Sequence, residues 1–234
     1  MGTVTSMMND FFLSAGDILL GGKGALLWQG LSETVFMVAV STVLGIAIGL
    51  PLGMILFACS PKGIRPNRTL FESLSFFINS ARSIPYIILT VLLIPLTRMC
   101  IGTSIGTVAA IFPLILAAIL LIARASEEAF LNLPRTFTEI GTSMGAKPLR
   151  IFLVILLPEA LPGLVIQLTT IIINLVGFSA MAGTVGGGGL GDLAVRYGYQ
   201  RYDTTLMIAI VAVLIALVQI VQSIGNGFAR QIRK

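Results

Sequence analysis

Between Thr34 and Pro61 the chain runs without a single charged side chain. That is longer than the roughly 20 residues an α-helix needs to cross the hydrocarbon core of a bilayer. Lipid offers no partner for backbone N–H and C=O groups, so such a run is confined to a helix that satisfies its own backbone. Four further apolar runs follow, at about Ser75–Thr97, Ile105–Ala123, Ala160–Met181 and Thr204–Phe228. The second is interrupted by Arg82 and Pro85, and the short uncharged part after it puts Arg82 near a membrane edge. The expected fold is therefore an all-α membrane protein with five transmembrane helices. Composition agrees: 56% of residues are hydrophobic and 11% charged, against about a quarter charged in soluble domains. No soluble domain is expected. The membrane domain takes residues 33–229, after an N-terminal extension (1–32) on the extracytoplasmic side and before a basic tail (230–234). Within the extension, Phe11–Leu20 is too short to span and reads as an interfacial helix with Trp28 in the headgroup zone. Gly45, Gly49 and Gly53 recur every fourth residue, a spacing that lets another helix approach closely.

Five spans leave the termini on opposite sides, and the basic residues decide which is which. Lys62, Arg65, Arg68, Arg82, Arg124, Arg135, Lys147, Arg150, Arg230, Arg233 and Lys234 fall on one side, and Lys23, Arg98, Arg196 and Arg201 on the other. The positive-inside bias makes the richer side cytoplasmic, with the N-terminus outside and the C-terminus inside. Basic residues at the ends of apolar runs belong to the membrane, so the net charge of +5 gives no reason to expect a nucleic-acid partner. The chain has no histidine, which removes histidine metal sites and general bases. Cys59 and Cys100 lie near opposite ends of consecutive spans, and no disulfide between them is expected.

Several motifs fail on context. Gly186-x-Gly188-x-x-Gly191 matches a dinucleotide fingerprint but follows a membrane span instead of a strand. Gly186, Gly187, Gly188 and Gly189 read instead as backbone that packs tightly or flexes at an outer mouth. Gly22-Lys23 lacks the remaining residues of a phosphate-binding loop, so no ATP site is visible. The spans carry neutral polar residues such as Gln167, Asn174 and Gln219, but no carboxylate of the kind that gradient-driven carriers use. Uphill transport would need energy from a partner.

The stretch Thr136–Pro162 separates the third and fourth runs. Thr136 with Glu139 forms a capping-box pattern that predicts a short helix from Phe137 to Met144. Gly145 stops it, and a second helix opens at Pro148 and ends at Pro158. Phe137, Ile140 and Met144 fall on one side as an apolar ridge, suited to a groove in another protein.

Glu139-Ile140-Gly141, Gly145 and Ile155-Leu156-Leu157-Pro158 resemble the cytoplasmic loop of ABC importer permeases, whose pattern is Glu-Ala-Ala-x3-Gly-x9-Ile-x-Leu-Pro. Ile140 and Gly141 depart from its two alanines. The resemblance implies the type I importer permease fold, with Phe137, Glu139, Ile140, Met144, Gly145 and Ala146 as the helix that couples to ATP hydrolysis on a separate subunit. The chain itself would carry no cofactor, and ATP and Mg would sit on that ATPase. Arg82-Ser83-Ile84-Pro85, Gly102–Gly106, Leu156–Gly163 and the stretch from Ser179 to Asp203 further resemble the permease subunit of bacterial methionine importers, over about Trp28–Phe228. This implies a multi-pass permease of the bacterial inner or plasma membrane, a homodimer with two ATPase subunits and an extracytoplasmic substrate-binding lipoprotein. In that family the fourth span lines the pathway, which gives Asn174, Phe178, Ser179 and Met181 as gate candidates. Tyr197, Tyr199 and Tyr202, with Arg196 and Arg201, either dock the binding protein or form an aromatic belt. A permease for another small solute, a gradient-driven carrier or channel, and a membrane scaffold are the alternative readings.

Overall fold

The computed structural model describes residues 22–232, and within them every regular element is helical. The expected interfacial helix Phe11–Leu20 lies outside the described residues. Helix α1 spans Gly22–Cys59, so it passes unbroken through the boundary expected at residue 33. Trp28 sits on this helix, 72% exposed, and not on a separate interfacial one.

α1 packs along α5, Thr107–Leu131, and the seam is the glycine repeat. A methyl at Gly45 would lie 2.6 Å from Ala118 Cβ, one at Gly49 2.8 Å from the Ile119 carbonyl oxygen, and one at Gly53 2.5 Å from Ser126 Cβ. The missing side chains let the two backbones meet, which is how helices gain dispersion energy where lipid supplies no hydrophobic drive. Around this pair Met37, Leu114, Ala118, Ile122 and Leu175 form the central core.

The second crossing departs from a straight helix. α2, Arg68–Arg82, is capped by the Asn67 side chain, which accepts from the Leu70 N–H at 3.1 Å. α3, Tyr86–Leu92, then turns away by 97°. Pro85, at φ −54° and ψ 134°, explains the break: proline has no N–H to continue the ladder and disfavours helical geometry in the residue before it. The Ser83 hydroxyl closes α2 on the Asn79 carbonyl at 2.8 Å. A short α4, Ile94–Ile101, ends at Gly102 with φ +85°. Four described helices are long and apolar enough to cross a membrane, or five if the bent pair counts as one span.

α5 continues past Ala123, where its span was expected to end, and buries Glu127 at 1% exposure in an ion pair with Arg124. Glu127 lies beyond the expected third span, Ile105–Ala123, which itself holds no ionisable side chain. A buried carboxylate is tolerated because it is paired and lies in the last turns of the helix. α6, Arg135–Ser143, is followed by α7, Pro148–Ile151. A π-helical turn, Phe152–Leu156, leads directly into α8, Leu157–Thr184. Pro158 was expected to end the helix here and does not. The widened turn, in which the Leu157 N–H reaches back to the Phe152 carbonyl, accommodates the ring upstream of a proline that has no ladder bond to lose. α9, Gly189–Leu193, a second π turn, Ala194–Tyr199, and α10, Thr204–Ile232, complete the chain.

Lys23 at the start of α1 donates to Asp203 Oδ2 at 2.8 Å, and Asp203 Oδ1 accepts the Leu206 N–H at 3.1 Å. One carboxylate thus caps α10 and ties it to α1. The Lys23 hydrogen bond, and then the Leu206 amide, hold this carboxyl below its ordinary range. A lowered folded-state pKa contributes stability above the unfolded value of about 4 and loses it as pH falls through the folded one. Asp203→Asn is expected to lower the melting midpoint in detergent by the same amount from pH 8 to pH 5. The gap to wild type should close only in stronger acid, as melts at stepped pH would check.

Candidate functional site

The basic end of the bundle is built around α6. Pro134, at φ −55° and ψ 136°, takes the N-cap position with no side-chain cap. The expected capping box is therefore absent: the helix begins at Arg135, which leaves Thr136 already inside the first turn. Glu139 is exposed and caps nothing among the described residues. The other end follows expectation. Gly145 has φ +66°, its N–H donates to the Thr142 carbonyl at 3.0 Å, and the Ala146 N–H donates to the Gly141 carbonyl at 3.1 Å. These are the two bonds of a Schellman motif, which depends on a residue at ease with positive φ.

The expected ridge is split. Phe137 turns half-buried toward the bundle, whereas Ile140 and Met144 remain 49% and 78% exposed. The inward contact falls on Gly141, where a methyl would lie 2.9 Å from Cγ1 of the fully buried Ile151. This position was noted in the sequence only as a departure from alanine, and its role in letting α6 sit close is visible only in the fold. Beneath α6, the rings of Phe57, Phe130 and Phe152 meet pairwise at centroid distances of 5.5–5.8 Å. α1, α5 and the π turn before α8 thus share one aromatic joint, of a kind that contributes energy beyond area burial alone.

At the opposite end the glycines pack tightly. Gly186, Gly188 and Gly189 have φ of +90°, +76° and +77°, and a methyl at Gly187 would meet the Ala182 carbonyl at 2.7 Å. The Gly189 N–H donates to Glu33 Oε2 at 2.7 Å and the Leu190 N–H to Thr34 Oγ1 at 2.9 Å. Glu33 and Thr34 therefore clamp the start of α9. Nothing local in the sequence marks them, because their partners lie 156 residues away. Arg196 pairs with Asp192, and Arg201 stacks over the Tyr197 ring at 4.6 Å, while Tyr199 and Tyr202 are exposed.

The pathway candidates on α8 divide between two faces. Thr170, Asn174, Gly177, Met181 and Thr184 form one open stripe at helical spacing. Phe178 lies at its edge, stacked on Tyr86 at 4.6 Å with an interplanar angle of 4°. Ser179 points away from the stripe: it is 1% exposed and its hydroxyl donates to the Val176 carbonyl at 2.7 Å.

The sequence profile of the binding-protein-dependent transport system inner membrane component family matches residues 45–234. The chain belongs to that family. Among its relatives is a "Probable D-methionine transport system permease protein MetI" of Vibrio cholerae, 47% identical over 222 residues, with 95% of each chain covered. The D-methionine transport system permease protein MetI of Escherichia coli is 48% identical over 158 residues, covering 68% of this chain and 73% of that one. Among solved structures, a chain of the MetNI methionine ABC transporter in an inward-facing conformation superimposes with a TM-score of 0.88. It is 45% identical and covers 90% of this chain and 97% of that one. An amino acid ABC transporter, 19% identical with a TM-score of 0.72, shares the fold across 89% of this chain and 95% of its own. The chain thus has the permease fold of ABC importers and is a membrane transport component.

For a permease of this family the Schellman glycine gives a direct test. A residue with Cβ forced into the left-handed region costs about 1–2 kcal/mol, with asparagine the mildest exception. Gly145→Val is expected to lose solute uptake at unchanged membrane abundance, and Gly145→Asn to retain most of it. Uptake and immunoblotting on the same cells would check both.

Proposed function

We propose that this chain is the permease subunit of an ATP-driven importer that carries methionine, in L or D form, or close analogues into a bacterial cell. The observation that carries the reading is α6. It is a short helix held rigidly by Gly141 and Gly145 against an aromatic joint shared by three helices, with Ile140 and Met144 left uncovered. That is the form of a surface awaiting a groove in another protein. The methionine assignment rests on relatives and solved neighbours of 45–48% identity whose names carry that substrate.

On this reading two copies of the chain face each other across the open stripes of α8, with Asn174 and Met181 toward the passage. Met181 offers a polarizable surface suited to a thioether. Phe178 supports the passage from its edge, and Ser179 serves packing. Two ATPase subunits, which bind ATP and Mg, receive Ile140 and Met144 on the cytoplasmic side, where the C-terminus also lies. An extracytoplasmic lipoprotein delivers substrate to the end built by Glu33, Thr34 and the glycine loop. This chain contributes no hydrolytic chemistry.

A gradient-driven carrier is the second reading, favoured by buried Glu127. Its pairing with Arg124 in the last turns of α5 suits a structural charge better than a proton relay at mid-membrane. Radiolabelled methionine uptake, in cells expressing the chain with its ATPase and binding protein, separates the two. Loss of uptake on ATP depletion but not on collapse of the proton gradient is the expected outcome. Loss only with the gradient would overturn the ATP-driven reading.

A further inference from the structure

Arg82, expected at a membrane edge, lines a cavity against the helix of the third span. The cavity, about 60 Å³, is walled by Ala117 and Leu121 from the central turns of α5, by Ile84 and Tyr86 after the bend, and by Phe178 of α8. Apart from the guanidinium, its side chains are apolar or aromatic. Arg82 is exposed, and among the described residues it takes part in none of the ion pairs. Tyr86 is 6% exposed and its hydroxyl has no hydrogen-bond partner among the described residues, while Thr90 one turn on gives its own proton to the Tyr86 carbonyl. An arginine at the end of α2 would satisfy the helix dipole equally well in water. An arginine without a counter-ion beside an apolar cavity between membrane helices is the kind of residue that marks a substrate pathway.

We propose that Arg82, in the cavity that Tyr86 also lines, is the counter-charge for the α-carboxylate of an amino acid in transit. The stacked Tyr86 and Phe178 rings form the wall against which the rest of the substrate lies. The inference rests on the amino-acid importer reading above and adds the group that is recognised inside the membrane. The cavity has room for several waters, enough for a carboxylate, and the open stripe of α8 adjoins it at Phe178. Asn174 and Met181 flank Phe178 there, four residues before and three after it. A planar guanidinium meets a carboxylate through two parallel hydrogen bonds, which a lysine cannot reproduce.

The test is equilibrium binding of radiolabelled methionine and of methioninamide to the purified permease–ATPase complex in lipid nanodiscs, without the binding protein. Wild type is expected to bind the acid at least about tenfold tighter than the amide, the scale of a charge-assisted hydrogen bond. Arg82→Gln should bring the ratio to about one and Arg82→Lys should keep part of it. Arg68→Gln, on the exposed face of the same helix, should keep it whole. An unchanged ratio in Arg82→Gln would overturn the proposal, as would a wild type that binds acid and amide alike or binds no amino acid tested. If another amino acid replaces methionine and still shows an Arg82-dependent acid-to-amide ratio, the methionine reading fails and the carboxylate site stands.

Discussion

The contact on which the rest of the structure depends is the seam between α1 and α5. Gly45, Gly49 and Gly53 remove the side chains that would hold the two helices apart, and backbone meets backbone within methyl distance. In lipid this packing is the main source of association between helices. The seam also sets what its two ends can do. At one end Glu33 and Thr34 of α1 hold the backbone of the glycine loop in conformations that side chains rarely adopt. At the other, Phe57 of α1 and Phe130 of α5 receive Phe152, so the loop that carries α6 is built onto the same pair.

This arrangement gives α6 a mechanical connection to α8. Ile151 bears on Gly141, the π turn follows at once, and the helix runs through Pro158 and Pro162 without a break to Thr184. A displacement of α6 therefore meets a continuous rod whose far half carries Asn174, Phe178 and Met181. Had Pro158 ended the helix, α6 would sit on a separate segment with no rigid link to the stripe. The bent second crossing meets the same rod from the side, through the stack of Tyr86 on Phe178.

Much of this was legible in the sequence because the constraints are local. Apolar run lengths gave the spans, the four-residue glycine period marked the close seam, and Gly145 announced the stop of α6. What stayed hidden depends on distant partners or on competition between local rules. Glu33 reads as an ordinary charge before a span, and only the fold brings the Gly189 amide to it. Thr136 and Glu139 satisfy the capping-box pattern, but Pro134 starts the helix earlier and removes their role. Pro158 carries the usual stop signal, which a π turn five residues wide absorbs. Arg82 was read by counting residues along a straight span, and neither the 97° bend nor the cavity beside it follows from that count. Among the pathway candidates, Asn174 and Met181 share the open stripe. Ser179 differs from them only in angular position, which the resemblance alone did not resolve.

The central claim is that α6 meets an ATPase subunit through Ile140 and Met144. It is tested most directly by photo-crosslinking from Met144→Cys, in a chain whose Cys59 and Cys100 are replaced by serine, labelled with benzophenone maleimide in the assembled complex. The account predicts an adduct between this chain and the ATPase subunit, with a yield that changes on adding ATP. Tyr202→Cys, at the other end of the bundle, should give no such adduct. Absence of the ATPase adduct from Met144→Cys, or an equal one from Tyr202→Cys, would contradict it.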